Sequence, residues 1–280
     1  MKSIDILAIG NITEDIISKE GNSFFSIGGP SFYAAKACIK YGVSSGVISV
    51  SSDKLKLTDC LPDNFTFSQK RTGHAIFENI YFDDNTRTQK VVNFPESLNI
   101  YDSIYPINSE SPKLIFYCPV LNEITDDFLE LFPSSIKVCN LQGWMRTLDD
   151  QGNVSIKKEL PDLDFSIFDA VIMSEHDTDY DNAFKIAESC NLVCITRGER
   201  GSALIVDNKL RNYKTIQVTN IDETGAGDVW AITFSIFYFI FKKQIGDSAM
   251  FANTAASISI KGIGDSQIPD LYKLLKLKKW

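Results

Sequence analysis

From residue 113 onward, short apolar runs alternate with helical stretches, and this alternation constrains the fold more than any single motif. Strand-like runs occupy 113–118, 136–140, 170–173, 192–196 and 202–206, with helical patterns at 125–132 and 179–190. The runs are apolar at nearly every position, as strands buried on both faces are. Strand and helix in alternation build a parallel sheet covered by helices on both faces, so the expected class is α/β. The run IDILAIG at 4–10 adds another buried strand, and 46–50 and 65–69 two more. A chain of 280 residues suits one large α/β domain, or one with a small accessory. No internal repeat or long linker divides it.

Two segments break the alternation. Residues 15–26 carry strand-like pieces around Glu20-Gly21-Asn22, and HAIFENIYF at 74–82 faces TRTQKVV at 86–92 across Asp83-Asp84-Asn85. Polar turns between strand-like flanks read as hairpins. Hairpins without a crossover helix do not belong inside a parallel sheet. Together they are expected to form a small β-flap, about 13–27 and 72–93, that covers a ligand and excludes water.

The stretch 221–230, IDETGAGDVW, runs into an apolar block at 231–241. A Gly-Ala-Gly turn opening a buried helix aims unpaired N–H groups and the positive end of the helix dipole at one spot. Glycine lets that backbone approach a ligand closely. Asp228, in the first helical turn, can then accept a proton from a hydroxyl whose phosphoryl partner the turn holds. The same pattern also fits a capped core helix with a Gly-rich start. Near the N-terminus, Gly28-Gly29-Pro30 is a second helix-start signal, read either as close approach to a ligand or as a tight turn. Asp15 follows the first strand, at the end of an open sheet where ligands gather, and also fits a plain loop carboxylate.

Composition narrows the partners. A net charge of −8 argues against nucleic acid. The longest apolar stretch, 229–241, is too short to span a bilayer, so no membrane partner is expected. No secretory pattern follows Met1-Lys2-Ser3, which makes a cytoplasmic location the expectation. The six cysteines form no CxxC pair, and Cys118, Cys139 and Cys194 lie in strand-like runs as core filler. With only two histidines, His74 and His176, a structural zinc site is not expected.

In chain order there are a Gly-Gly turn, a β-flap, TRGERG at 196–201, DETGAGD at 222–228 and NTAAS at 253–257. This resembles the ribokinase-like carbohydrate kinase family, also called PfkB, across essentially the whole chain. The resemblance implies one ribokinase-like domain over 1–280, a three-layer α/β/α sandwich with a mostly parallel sheet and the flap as lid. It implies ATP-dependent phosphorylation of a hydroxyl on a sugar or polyol, with Mg2+ and, in many relatives, K+. Asp228 matches the family's general base, and Gly225, Ala226 and Gly227 its anion hole. Thr196, Gly198 and Gly201 match the turn carrying the nucleotide, and Asn253 the position beside the adenine. Asp222 and Thr224 lie where relatives bind a monovalent cation. Asp15, Gly28, Gly29 and Glu123 match substrate positions. Flap edges in the family often pair between subunits, which implies a homodimer through the lid.

The sequence also departs from the family. Many relatives carry Asn four residues after the Gly-Gly pair, where this chain has Tyr33. A ring and one hydroxyl replace an amide, which points away from ribose and toward an inositol-kinase-like branch, with a hexose or a nucleoside as further acceptors. The family's Asn-x-x-Glu motif appears as Ser174-Glu175-His176-Asp177, so Asp177 keeps the carboxylate near magnesium on a shorter arm. Arg146 and Gln142 follow a strand and either reach the ligand or sit at the surface. A non-catalytic ligand-binding member of the same fold is the alternative from a different class.

Overall fold

Each apolar run forms a strand because it has two faces to bury. In the computed structural model, Ile6 and Ala8 of the first strand join one hydrophobic cluster, while Leu7 and Ile9 join another on the opposite face. The structure describes residues 4–277 except 20–21, 62–65, 71–72, 82–86, 95–96, 99 and 101–110. In chain order the strands are β1 (Ile6–Ile9), β2 (Thr13–Lys19), β3 (Asn22–Gly28), β4 (Ser45–Ser51), β5 (Thr66–Lys70), β6 (Ala75–Tyr81), β7 (Arg87–Asn93) and β8 (Leu114–Tyr117). They continue as β9 (Ile136–Asn140), β10 (Arg146–Leu148), β11 (Val154–Ile156), β12 (Ala170–Ser174), β13 (Leu192–Thr196), β14 (Ser202–Val206) and β15 (Lys209–Tyr213).

The large sheet has nine strands in the order β15-β14-β13-β12-β9-β8-β1-β4-β5. Its pairings are parallel except those of β14 with β13 and β15. The run 202–206 is therefore antiparallel: the five residues 197–201 between β13 and β14 are too few for a parallel crossover, which needs a dozen or more. Helices Pro30–Tyr41, Ala226–Ser235, Ile245–Ser259 and Leu271–Lys276 contribute to the core on one face. Helices Asp126–Leu129 and Tyr180–Ala187 contribute to the core on the other. This is a three-layer α/β/α fold, as expected. The helical pattern at 125–132 shortens to a single turn, and the apolar block after Ser235 winds into a π-helix at Ile236–Ile240.

Chain order reverses at β1, which sits between β8 and β4. Crevices at such switch points collect ligands beyond the strands' carboxyl ends. Here the chain leaves β1 through Gly10 and Asn11 and enters a second, four-stranded sheet, ordered β3-β2-β6-β7. Both hairpins are present, joined by parallel pairing of β2 with β6. The connections at 20–21 and 83–85 lie outside the described residues. Two contacts fix this sheet over the large one. Buried His74 hydrogen-bonds Glu14 through Nε2 and Ser52 through Nδ1, each at 2.7 Å. The β10–β11 hairpin meets β7, where the Val91 N–H donates to the Gly152 carbonyl at 2.8 Å.

All six cysteines are free, and all but Cys60 are buried. Among the described residues, no helix is long and apolar enough to cross a membrane.

Candidate active site

The carboxyl ends of the strands and the small sheet enclose a cavity of about 330 Å³. Residues far apart in sequence meet on its wall: Asp15, Gly29, Tyr33, Asp177, Thr196, Gly198, Gly201, Thr224, Gly225, Ala226, Gly227, Asp228 and Asn253. Gly28, Glu123 and Asp222 are absent from the wall.

Gly225 is the N-cap of the helix Ala226–Ser235, with φ +76°. An L side chain there would be strained, and an added Cβ would lie 2.2 Å from Cζ of Tyr33. Glycine thus lets the Tyr33 ring pack flat on the turn. The Ala226 N–H donates to the Glu223 carbonyl at 3.1 Å, so that amide is already used. The amides of Gly227 and Asp228, in the first helical turn, have no intrahelical acceptor by position. An added Cβ on Gly227 would meet no protein atom within 4 Å. Within the 225–227 turn and the residue after it, the amides left open to a ligand are therefore those of Gly227 and Asp228.

Asp228 is strongly perturbed by its surroundings. Burial pushes its carboxyl from an ordinary 3.8 up to about 7. Arg146 and a hydrogen bond from Asn140 oppose that rise, while Asp177 and Asp15 add to it. Asn140 Nδ2 donates to Asp228 Oδ1 at 3.1 Å from the end of β9. Asn140 is a site residue that the sequence reading missed. Its one signal is its place at the carboxyl end of a buried strand. A carboxylate poised near neutrality beside free helix-start amides can accept a hydroxyl proton while those amides hold an anion.

On the small-sheet side, Asp15 is buried and accepts from Thr13 Oγ1 at 2.9 Å. Gly28 packs on it so closely that a Cβ would fall 2.1 Å from Asp15 Oδ2. Gly28 supports the carboxylate by its smallness. Gly29, at φ +88°, starts the helix Pro30–Tyr41. Tyr33 is 2% exposed, and its hydroxyl has no hydrogen-bond partner among the described residues. A buried hydroxyl without a partner on a cavity wall asks for one from a ligand.

Glu123 is 1% exposed and faces backbone instead of the cavity. It accepts from the amides of Asn11, Val120 and Leu121 at 2.8–3.0 Å, tying the chain after β1 to the chain after β8. Burial raises its pKa against those donors. Asp222 likewise accepts from the Thr224 amide at 2.9 Å and the Gly264 amide at 3.0 Å. Each oxygen of the carboxylate offered for a monovalent cation already carries a donor, and Asp222 clasps two turns together.

The far end of the cavity is built around Asn253. Its Oδ1 accepts from Trp230 Nε1 at 2.7 Å, and its amide nitrogen donates to the carbonyls of Tyr213 and Lys214 at 3.0 Å each. Asn253 thus shapes the wall with both of its amide hydrogens engaged. Ile216, Val218, Ala256 and Ile260 give this end an apolar lining. Buried Asp177 accepts from the Ser174 amide at 2.7 Å, and burial raises its pKa. The shorter carboxylate is accordingly anchored on its own turn.

The geometry defines a class: an α/β/α core with a four-stranded sheet over its switch point is the ribokinase fold. A pyrophosphate-dependent kinase of the ribokinase family, solved with a pyrophosphate analog and myo-inositol, superposes with TM-score 0.78 at 15% identity. The match covers 97% of this chain and 99% of that one. Ribokinase of Arabidopsis thaliana, solved with ribose and ATP, gives 0.74 at 18% identity over 100% of both chains. A nucleoside kinase of Burkholderia thailandensis with inosine gives 0.71 at 14%, covering 96% and 95%. By sequence, 88 residues are 28% identical to a 5-dehydro-2-deoxygluconokinase of Mesomycoplasma hyopneumoniae, strain 232. That stretch is 31% of this chain and 26% of the relative's length. No family model matches the sequence.

Proposed function

We propose that this chain is a phosphotransferase that moves the terminal phosphoryl group of a nucleoside triphosphate to a hydroxyl of a sugar or polyol. The observation that carries the reading is Asp228: a carboxylate with pKa near 7, beside two free helix-start amides, in a cavity with a polar end and an apolar end. The acceptor lies under the small sheet, which serves as lid, against Asp15, Gly29 and Tyr33. Its hydroxyl proton passes to Asp228. The acceptor oxygen bonds to the terminal phosphorus, and the bond from phosphorus to the bridging oxygen breaks with its electron pair on the departing diphosphate. Amides at 227–228 stabilise the charge that develops. The turn of Thr196, Gly198 and Gly201 carries the donor, and the apolar walls beside Asn253 suit a purine ring. The ATP-bound and myo-inositol-bound neighbours support these two halves of the reading by analogy of fold.

A divalent cation fits the chemistry of this wall. Among the described residues, Asp15, Asp177, Glu199, Glu223 and Asp228 line it against a single arginine, so a polyphosphate enters a mostly acidic space. Asp177 would hold Mg2+, which would neutralise donor charge.

The test is a screen of ATP and pyrophosphate, with Mg2+, against myo-inositol, ribose, a hexose, 5-dehydro-2-deoxygluconate and inosine. A saturable transfer to at least one acceptor is expected. Binding of ATP or pyrophosphate without transfer to any of them would favour a ligand-binding protein. In the same assay, Tyr33→Phe is expected to raise the acceptor KM about 3–10-fold with little change in kcat, the worth of one hydrogen bond. An unchanged KM would remove Tyr33 from acceptor recognition.

The proposal includes a homodimer. Strand β3 is an edge of the small sheet, and its Phe24 and Phe25 are 56% and 70% exposed. Exposed edges with apolar side chains invite pairing. Sedimentation is expected to give a dimer, and Phe25→Glu a monomer. A wild-type monomer at micromolar concentration would contradict this part.

A further inference from the structure

We propose that Arg146 is a catalytic residue, whose guanidinium binds the transferring phosphoryl group beside Asp228. This rests on the phosphotransferase reading. Among the described residues that line the cavity, Arg146 is the one side chain with a fixed positive charge. Its charge acts on both Asp228 and Asp177, favouring the ionised form of each. Asp15, Asp177, Glu199 and Glu223 share the wall with them, so a cation here offsets an acidic site where phosphate must come to rest. Arginine suits that task because its planar fork matches phosphoryl oxygens with several donors at once.

The fold holds this side chain firmly. Arg146 follows the one-turn helix Gln142–Met145, which is wedged into the core. A Cβ on Gly143 would lie 2.0 Å from the Pro119 carbonyl oxygen, and Trp144 and Met145 are buried. The Lys157 amide donates to the Met145 carbonyl at 2.7 Å and closes the base of the β10–β11 hairpin. Arg146 Nη1 donates to the Val120 carbonyl at 3.1 Å, and its guanidinium carbon lies 5.8 Å from the Phe77 ring centroid. Phe77 belongs to β6 of the small sheet, and the hairpin's far end meets β7 at Val91. The guanidinium is thus fixed from the segment after β8 and from the lid together. In the transfer it contributes charge and position only. The hydroxyl proton still goes to Asp228 and the electron pair to the leaving diphosphate.

The test compares wild type, Arg146→Met and Arg146→Lys by titration with ATP and ADP in Mg2+, and by turnover on the best acceptor from the screen. Arg146→Met is expected to lower kcat about 100- to 1,000-fold, as loss of a transition-state donor does. It is expected to shrink the preference for ATP over ADP about fivefold or more and to move the acid limb of the pH profile upward. Arg146→Lys keeps the charge without the fork and is expected to fall between. It also serves if the methionine variant fails to fold. An unchanged ATP-to-ADP ratio with kcat within about threefold of wild type would overturn the role. Wild-type protein that binds neither ATP nor pyrophosphate would overturn the parent reading, and this inference with it.

Discussion

Asp228→Asn is expected to fold, to keep its ligand affinities and to lose about 10²- to 10⁴-fold in kcat, the range for removal of a general base. Asparagine keeps the shape and the contact with Asn140 but cannot take the proton. The wild-type profile of kcat/KM is expected to fall on the acid side with a midpoint near 7, because Asp228 works only when ionised. The same carboxyl has an opposite effect on stability. Its folded-state pKa of about 7 lies above its ordinary 3.8, so between those values the folded protein holds a proton that the unfolded chain has released. Its contribution to stability therefore declines as pH rises through that window. Asp228→Asn removes the penalty and is expected to melt above wild type at pH 8, with the gap closing toward pH 4. Near-wild-type turnover by this variant, or a melting difference that grows in acid, would contradict the assignment.

Gly225→Ala is expected to damage both fold and function. A left-handed backbone costs a non-glycine residue about 1–2 kcal/mol. The new methyl would lie 2.2 Å from Cζ of Tyr33, so it must also push that ring away. A total loss of about 2–4 kcal/mol follows, together with a fall in kcat/KM of about 100-fold or more as the helix start shifts. Gly227→Ala is the informative contrast. Its methyl meets no protein atom within 4 Å, so stability is expected to hold within about 0.5 kcal/mol. Its loss of activity would come from crowding the space where the anion sits. Equal melting temperatures for Gly225→Ala and wild type would show that the turn tolerates a side chain.

The central sheet was legible because its strands are buried on both faces, and short apolar runs such as those of β1, β8 and β12 alternate with helical stretches. The polar strands were not. Lys209–Tyr213 is an exposed edge strand that pairs through its backbone, and Arg146–Leu148 belongs to a two-stranded hairpin with the same character. The π-helix was hidden because an all-apolar stretch has no periodicity to break. At the site, motif spacing picked out Asp228, Asp177 and most of the glycines, and the fold brings these to one cavity wall. Spacing left open what three other residues face, because sequence names a carboxylate or a glycine without its neighbours. Glu123 and Asp222 turn inward to backbone amides, and Gly28 turns toward Asp15. Asn140 and Tyr33 acquire their meaning from partners 88 and 192 positions away, contacts that only the folded chain creates.

Phosphorus NMR of wild-type protein with donor, Mg2+ and the best acceptor tests the central claim most directly. The account predicts a new phosphomonoester signal on the acceptor that grows in step with loss of the donor's terminal phosphoryl group, and its absence with Asp228→Asn. Release of inorganic phosphate at the same rate without any acceptor ester would contradict it.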